Sequence, residues 1–504
     1  MKILSTEQIR LADLYTIEHE PIASIDLMER AAGVCCEWLE KKFRTEIPFV
    51  VFCGPGNNGG DGLAIARMLM HSGYTVKVFC LQISEKPSGD FALNHKRLMQ
   101  LDQKSITSIT NKSEFPFIAG NSVVLDALFG SGLNRPVSGL AAELIDHINS
   151  SEAGVVSIDI PSGLFADKTT PEQASKVKAD ITLTFQFPKL CFMFPGSGKF
   201  AGEWVVMDIK LHSQFIRQQT SPWNYFTLRE ASRLIPAREK FSHKGNFGHS
   251  LLITGSRGKM GAAVLAVKAC LRSGTGMLTV HIPACGETII QSTCPEAMVS
   301  LDSNTDIITA LPDFSPYSTI GIGPGIGTNP ETWETLRHLL YSFRKPVVLD
   351  ADALNLLSQH KDWLEYIPEN SILTPHVKEF SRLTKETNDD FERMQLQINF
   401  AKQYKVIVVL KGAHTCIAGP DGNVWFNSTG NPGMARGGSG DVLTGILVGL
   451  LAQGIAPLDA ARVGVFLHGK SGDEAAKRRT ELSMLPSDLI RYLPLAIQEC
   501  LRRS

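Results

Sequence analysis

At 504 residues the chain is too long for one ordinary hydrophobic core, so two or three domains are expected. Hydrophobic residues make up 43% and charged residues 20%, the balance of a globular protein, and 50 basic against 51 acidic side chains give a formal net charge of -1. That balance excludes an overall electrostatic attraction to nucleic acid or to an anionic membrane.

In chain order, helical material runs from Thr6 to about Lys42. Met1 to Tyr15 alternates polar and apolar residues without a continuous apolar run, which predicts no secretory signal. Phe49 to Cys53 is a short apolar strand ending in glycines, followed by helical spacing from Gly62 to His71. Thr75 to Leu81, Val123 to Phe129, Val155 to Ile160, Ile181 to Phe187 and Trp204 to Ile209 are further strands. Apolar runs separated by helical segments predict an α/β fold with a parallel sheet covered on both faces. Composition shifts between Leu211 and Pro236, and Gln218 to Pro222 reads as a linker or a loosely packed crossing. A second α/β alternation follows through Ser250 to Thr254, Met277 to Ile282, Thr319 to Gly323, Val347 to Asp350 and Val406 to Leu410. Thr415 to Ala418 and Val424 to Asn427 flank Gly419-Pro-Asp-Gly422 and read as a β-hairpin. Val442 to Ala456 is apolar but interrupted by glycines and too short to span a bilayer, so it reads as a buried helix. The expected division is residues 1–215, a linker at 216–226, and residues 227–504. Ten cysteines lie scattered without a C-x-x-C pair, and reduced thiols in a cytoplasmic protein are the plain reading.

Cys53-Gly-Pro-Gly-Asn-Asn-Gly-Gly-Asp-Gly62 contains a formal G-x-G-x-x-G between a strand and a helix, an arrangement that brings backbone amides close to a phosphate. Alone it points to a Rossmann-like dinucleotide site or to a turn that needs glycine only for its geometry. The ribose carboxylate expected about 20 residues later is missing, because the second strand closes on Phe79-Cys80-Leu81-Gln82. Two further strands end in polar loops, Leu125-Asp126-Ala127-Leu128-Phe129-Gly130 and Ile158-Asp159-Ile160-Pro161-Ser162-Gly163. In an open parallel sheet such loops converge outside the carboxyl ends of the strands.

These three segments, in order and spacing, resemble the NAD(P)H-hydrate epimerase family over roughly the first 210 residues. The resemblance implies a Rossmann-like three-layer domain. It implies substrate binding by Asn57, Asn58, Gly59, Gly60 and Asp61, and by Gly130, Ser131, Gly132, Leu133, Asn134, Arg135 and Pro136, with Asp159 at the reacting end. It also implies a potassium ion held by Asn58, Asp126 and Ser162, oxygen ligands that suit a hard cation. Lys189 is the candidate catalytic partner of Asp159, against the alternative of a solvated surface lysine.

In the second half, Thr429-Gly-Asn-Pro-Gly-Met-Ala-Arg-Gly-Gly-Ser-Gly-Asp441 runs straight into the apolar helix. Glycines before a helix present consecutive amides to an anion, and Asp441 beside them reads as a base for a hydroxyl proton or as a cap. The loop and Asp resemble the ribokinase-like superfamily. Lys244 to His249, Gly258 to Ala263, Gly321 to Gly327, Leu349 to Asn355, Leu373 to Glu379 and Leu410 to Thr415 narrow the resemblance to the ADP/ATP-dependent NAD(P)H-hydrate dehydratases. The resemblance implies nucleotide binding by Lys411, Gly412, Ala413, His414 and Thr415, and by Asn431, Gly437, Gly438, Ser439 and Gly440, with Mg²⁺ accompanying ADP or ATP. It implies hydrate contacts from Ala262, Gly325, His376 and Asp441, with Asp441 catalytic. Asp350 and Asp352 either organise the pocket or a Mg²⁺ shell, or cap helices.

The implied function is repair of hydrated NADH and NADPH, by R/S epimerisation and by dehydration of the S form at the expense of ADP or ATP. Small-molecule substrates and a homo-oligomer are the expected partners, with no nucleic acid or membrane. The alternative is a small-molecule hydroxyl kinase fused to a non-catalytic Rossmann-like binding module. An NAD-dependent oxidoreductase is weakened by the missing ribose carboxylate.

Overall fold

The computed structural model describes residues 1–84 and 86–502, and the chain divides into two compact units. One comprises Lys2–Ser221 with Asp389–Phe391, the other Pro222–Asn388 with Glu392 onward and Met1.

In the first unit seven strands form a wholly parallel sheet. Their order is Ile106–Ile109, Val76–Leu81, Phe49–Cys53, Val123–Ala127, Gly154–Ile158, Ile181–Phe185, Glu203–Met207. The two-residue period of Phe49–Cys53 sets up the layers. Phe49, Val51 and Cys53 pack with Ala32, Leu39 and Leu63 of the helices Ser24–Lys42 and Asn57–His71, while Val50 and Phe52 pack with Leu144 and Ile145 of Leu140–Asn149. The expected single helical stretch from Thr6 is two helices, Thr6–His19 and Ser24–Lys42, because the chain turns at Glu20-Pro21, where proline cannot continue the backbone hydrogen bonding. The strand order reverses between Phe49–Cys53 and Val123–Ala127, which opens a crevice beyond their carboxyl ends.

In the second unit ten strands form one sheet, and only Cys416–Ala418 runs antiparallel to its neighbours. The expected hairpin is present. The expected buried helix at 442–456 is Ser439–Ala452, which stops at the Gln453 cap and packs on Met260–Arg272. Gly445 makes that approach possible, since an added Cβ would overlap the Ala266 carbonyl oxygen. The segment 216–226 is not a loose linker: it contains the end of the helix Ser213–Gln218 and the strand Trp223–Phe226, which pairs with Val424–Asn427. All ten cysteines are free thiols and nine are buried, where they pack as small apolar side chains. No helix among the described residues is long and apolar enough to cross a membrane.

Candidate active sites

The glycine-rich segment of the first unit is mostly helix. Asn57–His71 starts at Asn57, with Gly56 as its N-cap and no side-chain cap, so the first-turn amides are left open towards the crevice. Gly54 and Gly59 are required by packing: a Cβ on Gly59 would overlap the Gly54 carbonyl oxygen, and one on Gly54 that of Leu128. Asn57, Asn58 and Asp61 line a cavity of about 550 Å³ together with Gly130, Ser131 and Asp159. Gly132 and Leu133 also line it, whereas Gly59 and Gly60 are buried beneath it. Asn134 lies in an adjoining cleft, and Arg135 and Pro136 line neither.

Asp159 follows the strand Gly154–Ile158 in the left-handed region, at φ 66°, an unusual conformation for a non-glycine residue. Its carboxylate is 2.7 Å from Nζ of Lys189 and accepts from the Ser131 amide at 3.3 Å. Lys189 is only 1% exposed, which removes the surface-lysine alternative. Burial pushes the Asp159 carboxyl up, but the Lys189 charge and the hydrogen bonds outweigh it and hold the group below the usual carboxylate range. Asp159 is thus an anion with a fixed counter-ion.

Asp126, fully buried at the end of Val123–Ala127, accepts from Ser157 Oγ at 2.7 Å and from Ser162 N and Oγ at 2.8 and 2.5 Å. Among the described residues, neither polar atom of the Asn58 side-chain amide has a hydrogen-bond partner, although both are buried. Burial raises the Asp126 carboxyl against its hydrogen bonds, and among the described residues it has no cationic partner; its oxygens and the orphaned Asn58 amide oxygen are of the type that suits a hard cation.

Two carboxyls in this cavity are shifted the other way. Asp61 is raised well above the usual range by burial and by Asp159, Asp13 and Asp90. Asp13 is raised to about 7 by burial and by Asp159, against the Lys189 charge. Sequence reasoning missed Asp13. It shares one face of the helix Thr6–His19 with Thr6, Ile9 and Arg10, and all four line the cavity, a placement that only the fold reveals.

In the second unit the strand ends converge in the same way. Asp350 follows Val347–Leu349, is 1% exposed, and binds Lys411 Nζ at 2.9 Å and the Thr444 hydroxyl at 2.7 Å. Burial raises its carboxyl, and the Lys411 charge with these hydrogen bonds brings it below the usual value. Neither it nor Asp352, whose carboxylate takes the Gly327 amide at 2.8 Å, acts as a simple cap. Thr444 and the Lys411–Asp350 ion pair had not been singled out from the sequence.

Helix Ser439–Ala452 opens on Gly438, left-handed at φ 97°, with no side-chain cap. His468 Nε2 donates to the Ser439 carbonyl at 2.9 Å; burial lowers this ring to about 4, so it remains neutral and holds the first turn. Asp441 lies in that turn but does not cap it. Its carboxyl is raised to about 6 by burial and by Asp350, against Lys411. Gly440 stands close enough that an added Cβ would meet Asp350 Oδ2 and Lys411 Nζ, both at 3.5 Å, and one on Gly325 would meet Ala262 Cβ at 3.2 Å. His376 caps the helix Val377–Leu383 through Nδ1, which accepts from the Glu379 amide, and half its side chain stays exposed. Gly412, Ala413 and Thr415 follow Lys411 at the strand end, whereas the His414 ring turns to the Asn427 carbonyl. Asn431 is tied to Asp473 at 3.1 Å.

Two family models match the chain, one for the YjeF-related protein N-terminus at residues 24–191 and one for NAD(P)H-hydrate dehydratase at 250–495. The bifunctional NAD(P)H-hydrate repair enzyme of Moorella thermoacetica is 34% identical over 515 residues, covering 99% of this chain and 97% of the relative. That of Escherichia coli is 32% identical over 470 residues, covering 93% and 88%. A crystal structure of the Bacillus subtilis ADP/ATP-dependent NAD(P)H-hydrate dehydratase, co-crystallised with ATP and Mg²⁺, is 31% identical, covers 55% of this chain and 98% of its own, and has a TM-score of 0.49.

Proposed function

The chain belongs to the family of bifunctional NAD(P)H-hydrate repair enzymes, and we propose that its first unit epimerises hydrated NAD(P)H while its second dehydrates the S form with a nucleotide as phosphoryl donor. The observation that carries the reading is the pairing of two carboxylate sites along a chain matched end to end by bifunctional relatives.

In the second unit Asp441 takes the proton of the substrate's C6 hydroxyl, whose oxygen attacks the terminal phosphoryl group of the nucleotide. A carboxyl raised to about 6 is ionised at neutral pH yet more basic than an ordinary one, which suits this transfer. The phosphate formed leaves far more readily than hydroxide, and its elimination restores the dihydronicotinamide. Lys411, fixed by Asp350, and the Gly440 and Asp441 amides of the uncapped first turn receive charge on the transferring group. Gly325 with Ala262, and the exposed side of His376, contact the hydrate; Gly412 to Thr415 and Asn431 to Gly440 hold the nucleotide. Asp350 and Asp352 would help hold the Mg²⁺ that accompanies the nucleotide, and when bound it would neutralise phosphoryl charge.

In the first unit Asn57, Asn58, Asp61 and the Gly130 to Leu133 loop hold the nicotinamide end, with Asp159 at the reacting carbon and Lys189 keeping it ionised. A potassium ion would be held by Asn58, Asp126 and Ser162, and the orphaned Asn58 amide supports this; when bound it supplies a fixed positive charge beneath the loop.

The kinase alternative predicts a stable phosphorylated product. The test is Asp441→Asn in the full chain: nucleotide binding and fold should persist while dehydration of the S epimer falls by about 100-fold or more. Unchanged dehydration would remove Asp441 as the base. Accumulation of a phosphorylated hydroxyl product by the wild-type chain would favour the kinase.

A further inference from the structure

We propose that Asp13, on the helix Thr6–His19, protonates the hydroxyl that leaves during epimerisation, working across the cavity from Asp159. The inference rests on the epimerase reading of the first unit and adds to it a residue outside the glycine loops.

The chemistry requires such a group. The reacting carbon carries a hydroxyl and is bonded to the ring nitrogen. Inversion by exchange proceeds when the C6–O bond breaks, with both electrons going to oxygen, while the nitrogen lone pair forms a C6=N1 double bond. Hydroxide leaves poorly near neutrality, so the oxygen must gain a proton as it departs as water. Water then adds to the opposite face: its oxygen bonds to C6, the π pair returns to nitrogen, and one proton is shed. Nothing is oxidised or reduced, and a water is exchanged for a water.

Among the described residues, four charged or titratable side chains line the cavity: Arg10, Asp13, Asp61 and Asp159. Arg10 is a permanent cation and gives no proton. Asp159 is held as an anion by Lys189, placed to offset the positive ring and to accept the proton of the incoming water. That water is strongly acidic once bonded to carbon, so even a carboxylate of lowered basicity takes its proton. Asp61, inside the helix Asn57–His71, is 92% buried where Asp13 is more open, and burial with its acidic neighbours raises it well above the usual range, which suits a neutral hydrogen-bond donor to the substrate.

Asp13 remains. It lies on the face formed by Thr6, Ile9, Arg10 and Asp13, which the helix turns to the cavity, and its carboxyl is engaged by no hydrogen bond among the described residues. Burial and the Asp159 anion raise it against the Lys189 cation, with Arg10 and Asp61 also lining the cavity, and the balance sets it at about 7, where a carboxyl both gives and recovers a proton. Transfer from Asp159 to Asp13 through water in the cavity resets the pair.

The test measures conversion of purified S epimer of hydrated NADH to the R epimer by the full chain without nucleotide, resolved by chromatography, across neutral pH. For the wild type the turnover rate should fall about tenfold per pH unit above about 7, as Asp13 loses its proton. Asp13→Asn should lower turnover by about 100-fold or more with little change in KM, and should abolish the descending limb. Asp13→Glu should recover part of the rate together with the limb. ADP- or ATP-driven dehydration of the S epimer by the same variants should be unchanged. Wild-type turnover or an intact limb in Asp13→Asn overturns the proposal. So does a variant in which KM and turnover collapse together without rescue by Asp13→Glu, since that assigns Asp13 a structural role. A wild-type chain that never interconverts the epimers contradicts the epimerase reading itself.

Discussion

Asp159 and Asp350 meet the same difficulty in the two units, a carboxylate buried at the end of a parallel strand, and each is kept ionised by a lysine, Lys189 and Lys411. Burial alone would protonate both groups, and the paired cation reverses the shift. Asp441, without a dedicated cation, moves the opposite way, to about 6. The consequence is a rising pH limb for dehydration. A base must be ionised to act, so the rate should fall about tenfold per unit below about pH 6 and level off above it, measured with S epimer and saturating nucleotide. A rate flat down to about pH 5 would contradict the assignment. Asp159, Asp126 and Asp441 were legible in the sequence because each ends a strand or a glycine loop. Asp13 was not, because a carboxylate on an ordinary amphipathic helix carries no local mark until the fold shows what faces it.

The glycine-rich segment divides its roles by position along one helix start. Gly54 and Gly59 let the helix Asn57–His71 seat against the strand end, whereas Gly56 has open space where a Cβ would go and an ordinary φ of -92°. Gly59→Ala should therefore force the helix away from the strand, at about 1–3 kcal/mol for overpacking, and displace Asn57, Asn58 and Asp61 together. Gly56→Ala should leave fold and cavity intact. Thermal unfolding and nucleotide-free epimerisation of the two variants check this: Gly59→Ala should lose both stability and rate, Gly56→Ala neither. Equal behaviour would mean that the glycines serve the ligand alone. The formal G-x-G-x-x-G was visible from spacing, but its meaning was not. The motif reads as a phosphate turn until one sees that its last residues are helical and packed from below.

At the scale of the molecule, two parallel sheets were foreseeable from the alternation of apolar runs and helical spacing, whereas the join between them was not. Trp223–Phe226 lies where composition suggested a linker, yet it is the last strand of the ten-stranded sheet and pairs with Val424–Asn427, a partner some 200 residues away. Local pattern cannot carry such a pairing. The polar run before it is held by Lys2, Ile3 and Gln8, which bond to Gln219, Ser221 and Thr220. In both units the proposed site residues lie beyond the carboxyl ends of parallel strands, the position that open parallel sheets offer a ligand. The central claim is that one chain carries two complementary activities on one damaged cofactor. It is tested most directly by giving the purified full chain a mixture of R and S hydrated NADH with Mg²⁺ and either ADP or ATP, and following the near-ultraviolet absorbance of reduced nicotinamide beside nucleotide-free controls. The account predicts nucleotide-dependent recovery of both epimers as NADH; recovery that stops when the S form is spent, or none with either nucleotide, would contradict it.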